Sequence, residues 1–380
     1  MSIETRANIL ASYGANPAEI EELLAYNENV FSLADRPPFP LEPEPHVAAW
    51  REYLAQSREL GVFAALRERL VQLQFPIAPG IGETEEYRRA TRKGQPTRGM
   101  ALATGLILKE PESLKLIIHE SATGEIPVII AGCREDFVSL VQALTKRNEP
   151  HPIPDSMGAT MVSGFNNWDR IRQYRASWEA NQTEPVSESD WQGEFKRLIP
   201  QKHLYQDRLI ILSRGNYSAV SAGDMGMDES TWHSLSLIIR LSHECTHYFT
   251  RRLFGSMRNN LLDELIADYQ GIVAANGGRY RADWFLRFVG LESFPDYRPG
   301  GRLENYRGEP PLSEGAFKIL QGLVKDAADN LQGFNLTHQQ ELATGDRGVK
   351  LLMALTYLTL EELADRQHNW LELTWQEMIG

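Results

Sequence analysis

The sequence predicts an α+β protein, predominantly helical, with a small mixed or antiparallel sheet in its middle third. Three observations carry this. Apolar residues recur at three- and four-residue spacing through residues 3–75 and again after Gly278. Short alternating or apolar runs bounded by turn residues occur mainly between about 104 and 220. Between them and the C-terminal part lies an unbroken stretch, Trp232 to Phe254, with neither proline nor glycine.

From the N-terminus, ANILASYG, EIEELLAYN, HVAAWREYLAQSREL and VFAALRERLVQL read as helices, interrupted by the proline-rich PPFPLEPEP at 37–45. Residues 1–81 are therefore expected to form a helical N-terminal region. Residues 82–222 are expected to form an α/β region. In it TGLILKE, LKLIIHE and IPVIIAG read as strands, SATGE as a hairpin loop and REDFVSLVQALTKR as a helix. The Gly-, Asn- and Ser-rich PIPDSMGATMVSGFNNWDRIRQY reads as a loop; RLIILS at 208–213 and NYSAV at 216–220 read as strands. After Gly278 the helical runs are RADWFLRFVGL, EGAFKILQGLVKDAADNL, HQQELAT and GVKLLMALTYLTLEELADR.

At the centre of Trp232–Phe254 lie His243, Glu244 and His247 in the order H-E-x-x-H. On a helix His247 falls only about 40° round from His243 and one turn along, so two imidazoles point the same way. That places two nitrogens within reach of one Zn²⁺, with Glu244 flanking the open side. Asp228, Ser230 and Thr231 are N-cap candidates and Gly255 a stop signal. Ser236, Arg240, His243, Glu244, His247 and Arg251 share one arc of about 100°. A solvated face of an amphipathic helix would look the same on the wheel.

The next run, NNLLDELIADYQGIVAAN, supplies Asn259 and Asn260 as caps and Gly277 and Gly278 as a stop. Glu264 and Asp268 lie four apart among Leu261, Ala267, Gly271, Ile272 and Ala275, a surface suited to close helix packing. Buried carboxylates without partners are costly, and a metal with a metal-bound histidine would be such partners. Here the chain resembles the gluzincin zinc metallopeptidases, whose pattern is H-E-x-x-H followed by E-x-x-x-D. The resemblance covers about Trp232 to Gly278. It implies a zincin-like arrangement with Zn²⁺ held by His243, His247 and Glu264, Glu244 as general base, and Asp268 orienting the first histidine. Sixteen residues separate His247 from Glu264, a spacing slightly shorter than in thermolysin, which leaves Asp263 as an alternative third ligand. Residues 223–380 would thus be a helical zinc-binding catalytic region.

In that family an edge strand beside the zinc helix receives an extended peptide, and Gly215–Val220 is the candidate edge. An oxyanion donor must come from outside the metal helices. The loop FPDYRPGGRLENYRGEPP offers Tyr297, Arg302 and Tyr306, with Arg298 and Asn305 beside them; His338 and His368 are rivals, whereas His233 is too far along the rod. The resemblance implies a metallopeptidase acting on a peptide or protein. A zinc-binding regulatory or scaffold protein without hydrolytic activity, and a narrow-specificity regulatory protease or small-amide hydrolase, are the alternatives.

Composition narrows the field. A net charge of −12 over 380 residues argues against nucleic-acid and anionic-membrane partners, and no basic tract offsets it; Arg88, Arg89, Arg92, Lys93 and Arg98 are the densest positive group. No apolar run approaches membrane-spanning length, and the N-terminus has no signal-peptide core. With only Cys133 and Cys245, no disulfide framework is available, and a cytoplasmic location is expected. Both cysteines are expected to be buried.

Overall fold

The computed structural model describes residues 2–32, 37–257 and 259–380. The fold is α+β and predominantly helical, as expected. The first helices are α1 (Ile3–Ser12), α2 (Pro17–Tyr26), α3 (His46–Leu60), α4 (Val62–Arg69) and α5 (Glu85–Lys93). Strands β1 (Lys115–Ser121) and β2 (Gly124–Ile130) precede α6 (Arg134–Thr145), β3 (Ala159–Asn166), α7 (Trp168–Ala180), α8 (Glu188–Leu198) and β4 (Gln206–Leu212). Then come α9 (Glu229–Phe254), α10 (Asn260–Ala275), α11 (Ala282–Val289) and α12 (Glu314–Leu342). The chain ends with α13 (Arg347–Thr356), α14 (Leu360–Ala364) and α15 (Trp370–Ile379). Among the described residues no helix is long and apolar enough to cross a membrane.

Two compact units form. One comprises the chain up to Phe39 together with Gly215–Gly380, the other Pro40–Arg214. The expected N-terminal region 1–81 is therefore not one body. Its first two helices belong with the C-terminal helices, because Arg6 pairs with the buried Glu361 and Tyr13 donates to Asp326 at 2.7 Å. Helices α3 and α4 belong with the sheet, where Trp50, Tyr53 and Leu66 share a core with Leu116, Ile129 and Leu209.

The sheet has the order β1-β2-β4-β3, with β2 and β4 parallel and both outer pairings antiparallel. Three strand expectations need correction. TGLILKE is not a strand: its Leu106 and Leu108 reach the core while Ile107 is 83% exposed, so it alternates without pairing in the sheet. ATMVSGFN, read as loop, is β3; its Gly164 sits at φ +75° where the register with β4 shifts by one residue, and that bulge hides the alternation. NYSAV is not an edge strand but a 3-10 turn at Tyr217–Ala219, with Ser218 and Ala219 both at positive φ. Helically, HQQELAT is the end of the single helix α12, while the run 348–366 breaks where Thr359 caps α14 with Glu362.

Helix α9 begins at Asp228, whose carboxylate accepts from Thr231 N at 2.9 Å, and stops at Gly255 in the left-handed region. It packs along α10. The closest approach is at Gly271, where a Cβ would lie 2.9 Å from the Ile239 carbonyl oxygen and 3.0 Å from Ile239 Cγ2. No side chain fits there without moving one helix away from the other. Gly271→Val should lower the unfolding free energy by about 1–3 kcal/mol, read from denaturant midpoints, because the contact is with backbone rather than a movable side-chain end.

Candidate metal centre

The polar stripe of α9 is not solvated. Ser236, Arg240, His243 and His247 are 0, 5, 7 and 6% exposed. Each faces something specific. Ser236 Oγ accepts from Tyr217 N at 3.0 Å, Arg240 donates to the Asn216 carbonyl at 3.1 Å, and Trp232 Nε1 donates to the Val220 carbonyl at 2.8 Å. One half of the stripe therefore holds the 215–220 turn against the helix, and the other half builds the centre.

There, His243, His247 and Glu264 form a group that could hold a metal ion. The two Nε2 atoms are 3.0 Å apart, His243 Nε2 lies 3.6 Å from Glu264 Oε2, and His247 Nε2 lies 3.6 Å from Glu264 Oε1. A tetrahedral ion with bonds of about 2.0–2.1 Å needs ligand-to-ligand edges of about 3.3–3.4 Å. The observed separations, with the carboxylate presenting one oxygen to each ring, bracket that value, so the donor set fits a small divalent cation. Imidazole and carboxylate are also the ligand types that such ions take.

Behind each ring stands an aspartate. His243 Nδ1 is 2.8 Å from Asp268 Oδ1, the orientation expected from the sequence. Asp263 is not a third ligand: its Oδ2 lies 2.8 Å from His247 Nδ1, on the far edge of that ring from Nε2. At that distance the buried carboxylate and the imidazole form an ion pair. Burial alone would depress His247, but Asp263, with Glu264 and Glu244, overrides it and raises the imidazole to about 10. Burial likewise opposes ionisation of Asp268, yet the Arg302 guanidinium and the His243 bond hold its carboxyl near 2.

The loop expected to supply an oxyanion donor divides. Tyr297 turns into its own loop, donating to the Gly301 carbonyl at 2.7 Å, and does not join the centre. Arg302 reaches it as an ion-pair partner of Asp268 and donates to Tyr217 Oη at 3.1 Å and Ser218 Oγ at 2.9 Å. Tyr306 donates to Glu264 Oε2 at 2.7 Å, and burial, with Glu264 nearby, pushes its hydroxyl well above the usual phenol range despite Arg302. The rivals are engaged elsewhere: His338 with Glu372 at 2.7 Å and His368 with Asp365 at 3.0 Å. Glu244 is half-buried, follows His243 on α9 and lies close enough to His247 to help raise its imidazole. Cys245 is buried as expected and its thiol raised by burial, whereas Cys133 is only half-buried.

Tyr217 is the residue that sequence reasoning missed. Its hydroxyl donates to Asp268 Oδ1 at 2.6 Å and lies 2.9 Å from His243 Nδ1. Nothing in the pattern NYSAV marks it, because the turn that presents it uses no glycine at its two left-handed positions.

The chain belongs to a family of unknown function (DUF7005), whose model matches residues 8–367. No curated protein and no solved structure matches it.

The His247–Asp263 pair has a signed pH signature. In metal-free protein the folded state keeps a proton that the unfolded chain sheds above about pH 6.5. The pair's contribution is thus complete below that value and lost as pH rises through about 10. In chelator-treated protein the stability advantage of wild type over Asp263→Asn should shrink by on the order of 3 kcal/mol between pH 6.5 and 10, measured by urea unfolding.

Proposed function

We propose that the protein is a zinc-dependent hydrolase of the gluzincin type, acting on the amide bonds of a peptide or protein. The observation that carries this reading is the convergence of His243, His247 and Glu264 with metal-sized spacing, each histidine backed by a carboxylate, and Glu244 beside them. His243, His247 and Glu264 would hold Zn²⁺, which when bound polarises a carbonyl and lowers the pKa of a water. Every further task falls to side chains already in place.

Glu244, next to His243 on the same helix and half-buried, takes the proton of the attacking water and passes it to the leaving amine. Asp268 and Asp263 keep the Nδ1 edges of the two rings occupied, so both Nε2 atoms stay turned toward Glu264. Tyr306, a hydroxyl held protonated by burial, stands beside the ligand carboxylate and would serve the developing oxyanion by turning its one proton from Glu264 Oε2 to the substrate oxygen. Arg302 is already committed to Asp268 and Tyr217, which makes it a weaker candidate for that task.

Metal content per chain, by mass spectrometry on protein purified without chelator, is the first test. About one zinc is expected in wild type, and less than a tenth of that in folded His247→Ala and Glu264→Ala. Glu244→Gln should retain the metal and lose at least about 1000-fold in turnover of a peptide library. Zinc-loaded wild type that cleaves nothing in the library would favour a binding role over hydrolysis. Absence of zinc uptake would end the reading altogether.

A further inference from the structure

Asp268 sits between two competing hydrogen-bond donors. One is the Nδ1–H of His243 at 2.8 Å; the other is the Arg302 guanidinium, whose Nη2 pairs with Asp268 Oδ2. A guanidinium facing an isolated carboxylate takes both oxygens through two parallel N–H bonds. Here it does not. The second nitrogen, Nη1, donates instead to Tyr217 Oη at 3.1 Å and Ser218 Oγ at 2.9 Å, and the Tyr217 hydroxyl donates on to Asp268 Oδ1 at 2.6 Å. The hydroxyl thus stands where the second arm of the fork would bind, and Oδ1 stays on the histidine side.

The backbone that presents this hydroxyl is held in an unusual shape. Ser218 and Ala219 both have positive φ, 51° and 57°, a conformation that costs roughly 1–2 kcal/mol per non-glycine residue. The turn persists because Ser236, Arg240 and Trp232 bond its backbone to α9, and because the Tyr217 ring packs edge-on against Phe288.

We infer that Tyr217 is a positioning residue for the metal centre: by standing between Arg302 Nη1 and Asp268 Oδ1 it prevents a bidentate Arg302–Asp268 pair and so keeps Oδ1 within reach of His243. The inference rests on the metal reading above. It reaches beyond the ligands to the element that decides how the first histidine is held. Without the hydroxyl, the guanidinium closes on both oxygens, His243 loses its acceptor, and the ring no longer holds Nε2 toward His247 and Glu264.

The test uses full-length protein and zinc alone, with dissociation constants from competition against a chromophoric chelator. Tyr217→Phe keeps the ring and its packing, so folding is preserved; zinc affinity should fall roughly tenfold to a hundredfold, the range for loss of a partner behind a ligand histidine. The discriminating variant is Arg302→Lys, a point charge that cannot form the fork. Within the Arg302→Lys background, adding Tyr217→Phe should change zinc affinity less than twofold. A purely structural role for Tyr217 would weaken binding equally in both backgrounds, and that additivity would overturn the inference, as would unaltered affinity in Tyr217→Phe alone. Wild type that binds no zinc would instead sink the metal reading itself, so the two failures are distinguishable.

Discussion

Three carboxylates, Asp263, Glu264 and Asp268, lie on one short stretch of α10 turned into the packing surface with α9. Negative charge of that density inside a helix pair must be compensated, since an uncompensated buried charge costs several kcal/mol. The chain supplies Arg302 against Asp268, and against Asp263 it supplies His247, whose imidazole is raised to about 10 so that it carries a proton near neutrality. That proton has only a provisional place. Metal binding would require His247 neutral, so a divalent cation held there would replace the proton and add one further positive charge opposite Glu264. The same arrangement that keeps the metal-free helix pair folded therefore favours taking up a cation.

The ligands come from helices, but the groups that orient them come from turns. Arg302 and Tyr306 lie four residues apart in one 3-10 turn and meet Asp268 and Glu264, which lie four apart on α10. Matched spacing lets one rigid turn hold two carboxylates at once. The turn is itself fixed from the N-terminal helices: Tyr26 donates to the Tyr306 carbonyl at 2.6 Å, and Glu22 accepts from Ser313 N and Oγ at the start of α12. Helix α2 thus supports the centre, which accords with its grouping with Gly215–Gly380 despite the long sequence separation.

What could be read from the sequence follows the range of each signal. Helix periodicity and the i, i+4 spacing of His243/His247 and Glu264/Asp268 are local, and both were legible, as were the stops at Gly255 and Gly277. The small residue at Gly271 announced the close helix approach. Strand signals failed where the surroundings override them. Leu106 and Leu108 alternate with an exposed Ile107 outside the sheet, and β3 conceals its alternation behind a bulge at Gly164. Tyr217, and the division of labour between Tyr297, Arg302 and Tyr306, depend on contacts across 34 to 85 residues, which no spacing rule reports. Asp263 was visible as a carboxylate in the right place; its role turned on which edge of His247 it met.

Under the proposed zinc reading, the number of donors matches a catalytic site rather than a structural one. Structural zinc sites close the coordination sphere with four protein ligands, whereas catalytic sites leave one position open. Among the described residues, the metal-capable group comprises three, and two further carboxylates beside it are already assigned, Asp263 and Asp268 to the Nδ1 edges. Tyr306 adds to this asymmetry by donating to Glu264 Oε2, which leaves Oε1 as the better electron donor of the two oxygens. A carboxylate drained at one oxygen would offer the other to a cation, and the Tyr306 hydroxyl is held beside the ligand set by the same bond.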